Sequence, residues 1–313
     1  MKQFLIAGLL SVAAAGFGLA ATGGDHGTKA EGGDCPAAAL IAKWEKAAAQ
    51  IAAMPAEKQA AVARAHATLS ASCPVCKEAP ATFAFLGKFL GSTVALDGLA
   101  LAAHEAGSKS QAQVEIPQEI ASAFEQRVAI GARGNELFAA FARVAAPAGK
   151  ADCEGAGNHG TAAAGPVKLT AADAGKTFEA IAEEATRLAT NWRGIPARAA
   201  ALPAATRSEL FAAMEVVKRD VPTCDLAKET LTVLAGGLDR VLALDKTLAQ
   251  HCEEASKAHA GELPAEHAQM KRAFQARTRA TAKVAELLRV MEQTMTPEIF
   301  QGSSPKQTTA RTY

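Results

Sequence analysis

The chain repeats itself at a fixed offset, and this constrains the fold more than any single motif does. Sliding the sequence by 148 positions places Trp44 on Trp192, Pro55 on Pro203, Cys76 on Cys224 and Asp97 on Asp245. No gap is needed between Trp44 and Lys109, and 19 of those 66 positions are identical. Seven of the matches are alanine, which coincide cheaply in so alanine-rich a chain, so twelve carry the argument. Further on, Ala123–Arg127 meets Ala273–Arg277 at an offset of 150, and upstream Asp25-His26-Gly27-Thr28 echoes Asn158-His159-Gly160-Thr161. A shape available to one copy must be available to the other.

The residues that fill both copies favour helix. The chain is 49% hydrophobic but only 5% aromatic. Alanine supplies much of the difference, and it loses no side-chain freedom on entering a helix. Val and Ile are sparse, so strands have little support and the fold class expected is all-α. Four helices are expected per copy. In the first they cover about 36–53, 56–72, 77–107 and 117–145, with Pro117 at a first helical position where its missing N–H costs nothing. In the second they cover about 171–201, 204–219, 224–258 and 264–295. Thr170 is the expected N-cap there, and a kink is expected at Gly194-Ile195-Pro196. Short connections favour antiparallel neighbours, hence two tandem up-and-down four-helix bundles spanning 35–146 and 170–297. Residues 21–34 and 147–169 read as Gly- and Ala-rich linkers, and 298–313 as a polar tail.

The third helix of the second copy is the severest test, because Gly236-Gly237 could divide it. Positions 227, 231, 234, 238, 241, 245, 248 and 252 read Ala, Leu, Leu, Leu, Val, Asp, Leu, Cys. That stripe passes through the glycines undisturbed, which predicts one continuous helix.

An aspartate lies on this otherwise apolar stripe in both copies, Asp97 and Asp245. The fourth helix carries a matching arginine on its own stripe, Arg127 and Arg277. Facing residues of an antiparallel hairpin are equidistant from its turn. Asp97 and Arg127 centre on residue 112, and Asp245 and Arg277 on Gly261, both inside the expected turns. An Asp–Arg contact is therefore expected within each repeat, as a structural ion pair that fixes helix register.

The start of the chain has a secretory pattern. Met1-Lys2-Gln3 is followed by an apolar run from Phe4 to Gly18 and then Leu19-Ala20-Ala21. Cleavage is expected after Ala20, making 1–20 a signal peptide and the mature chain periplasmic or secreted. A retained anchor would need about 20 apolar residues, and no cysteine marks a lipoprotein site. The 33 basic and 32 acidic residues leave a net charge of +1. They are interspersed, which argues against the concentrated basic surface that nucleic-acid binding requires.

Six cysteines in an exported chain point first to disulfides. Cys35 opens the first helix and faces residue 74 across the first hairpin, so a bond to Cys73 or Cys76 is expected. Cys153 follows the fourth helix at the same pole. Cys35, Cys73, Cys76 and Cys153 could thus form two disulfides or a four-thiolate zinc site. Cys73-Pro74-Val75-Cys76 could also be a redox pair at a helix start. The second copy has Val221 in place of Cys73, however, so two-cysteine chemistry is not duplicated with the scaffold. Lys77 stands where a haem-attachment motif has histidine. Cys224 and Cys252 are too far apart on a straight helix to pair. His26 and His159 lie in Gly-rich loops, and His104 sits on the core stripe of its helix. No metalloprotease, nucleophile-elbow or phosphate-loop motif is present.

These residues point to an exported non-catalytic helical-bundle protein, a binding or envelope-structural module with no cofactor. An envelope protein or a small ligand is the kind of partner such a module suits. The alternative is a periplasmic metal-, haem- or thiol-redox protein centred on Cys73 and Cys76.

Overall fold

The computed structural model describes residues 36–108, 118–145, 169–221, 223–258, 265–295 and 297–300. Among them the protein is all-helical, with no strand. The first copy supplies α1 (Pro36–Ala52), α2 (Ala56–Ser72), α3 (Pro74–Ser108) and α4 (Gln118–Ala145). The second supplies α5 (Ala171–Arg193), the short α6 (Ile195–Ala200), α7 (Ala204–Asp220), α8 (Thr223–Ala258) and α9 (Ala265–Thr294), then a 3-10 turn at Pro297–Phe300.

Local chemistry accounts for these boundaries. Thr170 caps α5, its hydroxyl accepting from the Asp173 amide at 3.2 Å. The kink expected in this helix is a break at Gly194, because Pro196 has no amide to continue the ladder. α2 and α7 stand 148 residues apart at both ends, each preceded by proline in an extended conformation. α8 runs unbroken through Gly236 and Gly237. α3 begins at Pro74, three residues before the expected start, and tolerates the internal Pro80. That proline leaves unmade only the helical bond to the Cys76 carbonyl.

The main apolar core is shared between the two copies. α1 packs on α4 and α5 on α9, as partners within a copy. α8 also packs on α9 and α3 on α4 within their copies, while other contacts cross: α3 of the first copy packs on α5 of the second, and α8 of the second packs on α1 and α4 of the first. α2 and α7 pack on each other at one side. One apolar core unites Leu40, Trp44, Phe89, Leu96 and Phe141 of the first copy with Phe178, Ile181, Leu188, Trp192 and Leu231 of the second. Apolar stripes thus find partners both within a copy and across the two.

The halves differ in detail. In the first, Phe141 lies 5.2 Å from the Trp44 ring and meets Phe83 edge-on at 4.9 Å. Its counterpart in the second is Met291, fully buried. Within α3, Pro74–Ala100 is also the one stretch among the described residues long and apolar enough to cross a membrane. Here it packs against α4 and α5.

Candidate functional site

Long polar side chains inside a helical core must find partners, because an unpaired one forfeits its hydration. In this protein they find them across the duplication. The Trp44 indole N–H donates to Thr230 Oγ1 at 2.8 Å, and the Trp192 indole N–H donates to Thr82 Oγ1 at 2.9 Å. Trp44 and Trp192 are equivalent, as are Thr82 and Thr230, so each copy completes the other's tryptophan. Such reciprocity is the signature of a two-fold relation, in which residue i meets j and j meets i. Each threonine hydroxyl in turn donates to a carbonyl one turn back, Glu78 for Thr82 and Leu226 for Thr230. All four side chains are fully or almost fully buried.

The same relation governs the charges. Arg127 Nη1 donates to Asp97 Oδ1 at 2.6 Å, and Arg277 Nη2 to Asp245 Oδ1 at 2.9 Å, so both contacts expected within the repeats are made. Two more cross between them: Arg127 Nε to Asp245 Oδ1 at 2.6 Å and Arg277 Nη1 to Asp97 Oδ1 at 2.9 Å. Two guanidiniums and two carboxylates thus form one neutral ring where the halves meet. The side chains of Arg127, Arg277 and Asp245 are 1–3% exposed, whereas Asp97 is 15% exposed and forms the wet side of the cluster.

The two arginines are not electrostatically alike. Burial disfavours the charge on Arg127, but Asp97 and Asp245 outweigh it and hold the guanidinium above its ordinary range. For Arg277 burial is the largest influence and the Arg127 charge adds to it, so its affinity for the proton is pushed down. Its guanidinium carbon lies 4.6 Å from the centre of the Phe274 ring, which favours the cation. Arg277 Nε and Asp245 Oδ2 are buried without a hydrogen-bond partner.

A second cluster surrounds the paired cysteines. Cys73 ends α2 and precedes α3, so its side chain stands where a capping residue would stand. Its sulfur accepts hydrogen bonds from the Cys76 thiol and from the backbone amides of Val75 and Cys76. Together with the Lys77 charge these overcome the effect of burial and bring the Cys73 thiol down to about 7 from 9.0. Cys73 is buried and Cys76 half-buried, and no disulfide joins them. Leu69, Leu210, Ala213 and Phe300 pack around Cys73, linking α2, α7 and the final 3-10 turn. An open groove of about 420 Å³ between α2 and α7 adjoins this cluster, lined by Arg64, Thr68, Glu209 and small side chains.

Cys35, Cys153, His26 and His159 lie outside the described residues, and with them the expected disulfide to Cys35 and the four-thiolate zinc site. Cys224 and Cys252 stand on the one continuous helix α8, and His104 on α3. Among the described residues no group of three or more His, Cys, Asp or Glu side chains could hold a metal ion. Sequence reasoning missed the Trp–Thr exchange. Its signal was present in the duplicated Trp and Thr identities, but the partner of each lies in the other copy. Comparison with family models, with curated proteins and with solved structures found no match.

Proposed function

We propose that the protein is an exported, non-catalytic helical scaffold acting as a binding or envelope-structural module. What supports this reading is the use made of its duplicated polar residues. Trp44, Trp192, Thr82 and Thr230, with the two Asp and two Arg of the charged ring, hold the halves of the fold together by binding one another. Such a ring specifies which helix faces meet. Its direct carboxylate–guanidinium bonds leave Asp and Arg engaged rather than presented to a substrate.

In finer detail the reading comprises a signal peptide over 1–20 and two four-helix units, 35–146 and 170–297, that assemble on each other. Protein from its native source tests it. Edman sequencing of the envelope or secreted fraction should begin at Ala21, and the protein should show no visible chromophore and no stoichiometric metal. A chain that starts at Met1 in the cytosol removes export from the reading. A bound haem or metal at one equivalent replaces the scaffold by a cofactor protein.

A further inference from the structure

We propose that Cys73 and Cys76 form a reversible dithiol–disulfide couple, with the half-buried Cys76 as the entry nucleophile and the buried Cys73 as the resolving thiol. The inference stands apart from the scaffold reading, and its failure would leave that reading untouched.

Three observations of geometry carry it. First, the two cysteines meet in one apolar cluster, Cys73 buried within it and Cys76 packed against it, with no disulfide between them. Second, Cys73 immediately precedes a 35-residue helix, its carbonyl accepting from the Lys77 amide at 3.2 Å, so its side chain stands at the helix's first backbone amides. These amides have no intrahelical carbonyl, and they stabilise a thiolate more than a thiol. Third, the two residues lie three apart, Cys73 extended just before the helix and Cys76 on its first turn, with Pro74 fixing the backbone between them. A disulfide needs Cβ atoms about 4 Å apart. A small tightening of the first turn closes the bond.

Accessibility sets the order of events. Cys73 is 2% exposed and packed under Leu69 and Phe300, so an incoming disulfide meets Cys76 first. Starting from the Cys73 thiolate, the proton of the Cys76 thiol passes to the Cys73 sulfur. The Cys76 thiolate then attacks one sulfur of a low-molecular-weight disulfide RS–SR, whose S–S bond breaks and releases RS⁻. Cys73 gives up its proton to that leaving thiolate and attacks the Cys76 sulfur of the mixed disulfide. The Cys73–Cys76 bond forms and the second RS⁻ departs, taking its proton from solvent. Two protein thiols are oxidised by two electrons, and one disulfide is reduced to two thiols. Because Val221 replaces Cys73 in the second copy, the device is confined to one end of the molecule.

Both cysteines fall on one tryptic peptide, between Arg64 and Lys77. The mature full-length chain is equilibrated over a series of reduced-to-oxidised dithiothreitol ratios, acid-quenched, alkylated and digested. The peptide should pass in one reversible step from a doubly alkylated form to an unalkylated form lighter by two hydrogens. With 2-hydroxyethyl disulfide, Cys73→Ser should accumulate the mixed adduct on Cys76. Cys76→Ser should react at Cys73 about 10-fold or more slowly, because access limits attack on or by a buried sulfur. Serine also caps helices, so Cys73→Ser keeps the turn. The proposal is overturned if the peptide stays doubly alkylated at the most oxidising ratio. It is equally overturned if either cysteine is found joined to Cys35 or Cys153, or if Cys73 reacts before Cys76.

Discussion

Asp245→Ala is the most informative single change in the charged ring. The aspartate accepts from Arg127 Nε at 2.6 Å and from Arg277 Nη2 at 2.9 Å, so the substitution deletes two of the four direct bonds. Hydrogen bonds to charged groups contribute about 1.5–3 kcal/mol each, which gives roughly 3–6 kcal/mol. Removing one member of a buried ion pair costs about 3–5 kcal/mol by direct comparison, because the partner charge is stranded. The two figures agree. They also describe the same event here, since two guanidiniums would be left to share Asp97 and the core would carry a net positive charge. At about 2–4 °C per kcal/mol for a chain approaching this size, the melting temperature should fall by roughly 6–20 °C. Thermal and urea unfolding followed by far-UV circular dichroism measure this, with Asp245→Asn separating charge from volume. The double variant Asp245→Leu with Arg277→Leu leaves Asp97 and Arg127 as a neutral pair. It should recover at least half of the loss, a coupling that a mutant cycle reads directly. An Asp245→Ala protein within about 0.5 kcal/mol of wild type would refute the burial of the ring. A double variant no more stable than the sum of its singles would refute the stranding argument.

Three further outcomes follow from other parts of the fold. Trp44→Phe and Trp192→Phe each remove an indole donor and leave Thr230 or Thr82 unpaired as an acceptor, so each should cost about 2–4 kcal/mol. Near-equal losses by urea denaturation are expected, whereas a loss in only one copy would break the reciprocity. Gly236→Ala should stabilise by about 0.5–1 kcal/mol, since nothing lies within 4 Å of the added methyl on this exposed helical position; a lower melting temperature would contradict the continuous α8. The Cys73 thiol is lowered from 9.0 to about 7 on folding, so its contribution is fully present above the unfolded value and disappears as pH falls through the folded one. Wild-type stability, measured under reducing conditions, should therefore rise from about pH 7 to 9 relative to Cys73→Ser, and parallel curves would count against the thiolate.

Much of this architecture was legible one helix at a time. The 3.6-residue stripes, Pro55 and Pro203 at helix starts, the Thr170 cap and Pro196 at the break are local signals, and the boundaries follow them. The undisturbed stripe across Gly236-Gly237 outweighed the weak helix propensity of two glycines. Partnership between helices was less legible. A stripe records that a face is buried, not what buries it. Counting outward from a hairpin turn finds Asp97 opposite Arg127 but has no means of finding Arg277. The cysteine cluster was half-readable: the motif marked the helix start, while the roles of Val75 and Cys76 amides depend on backbone direction at Cys73.

The exchanged tryptophans have a bearing on origin. A lone ancestral unit would already have possessed every donor and acceptor needed to embrace a twin, Trp with Thr and Arg with Asp. Tethering the pair into one polypeptide created no new chemistry; it raised the local concentration of each half around the other. Cut anywhere between residues 146 and 168, the pieces should therefore seek each other out and reassemble from separate solutions, as two obligate lodgers of a single house.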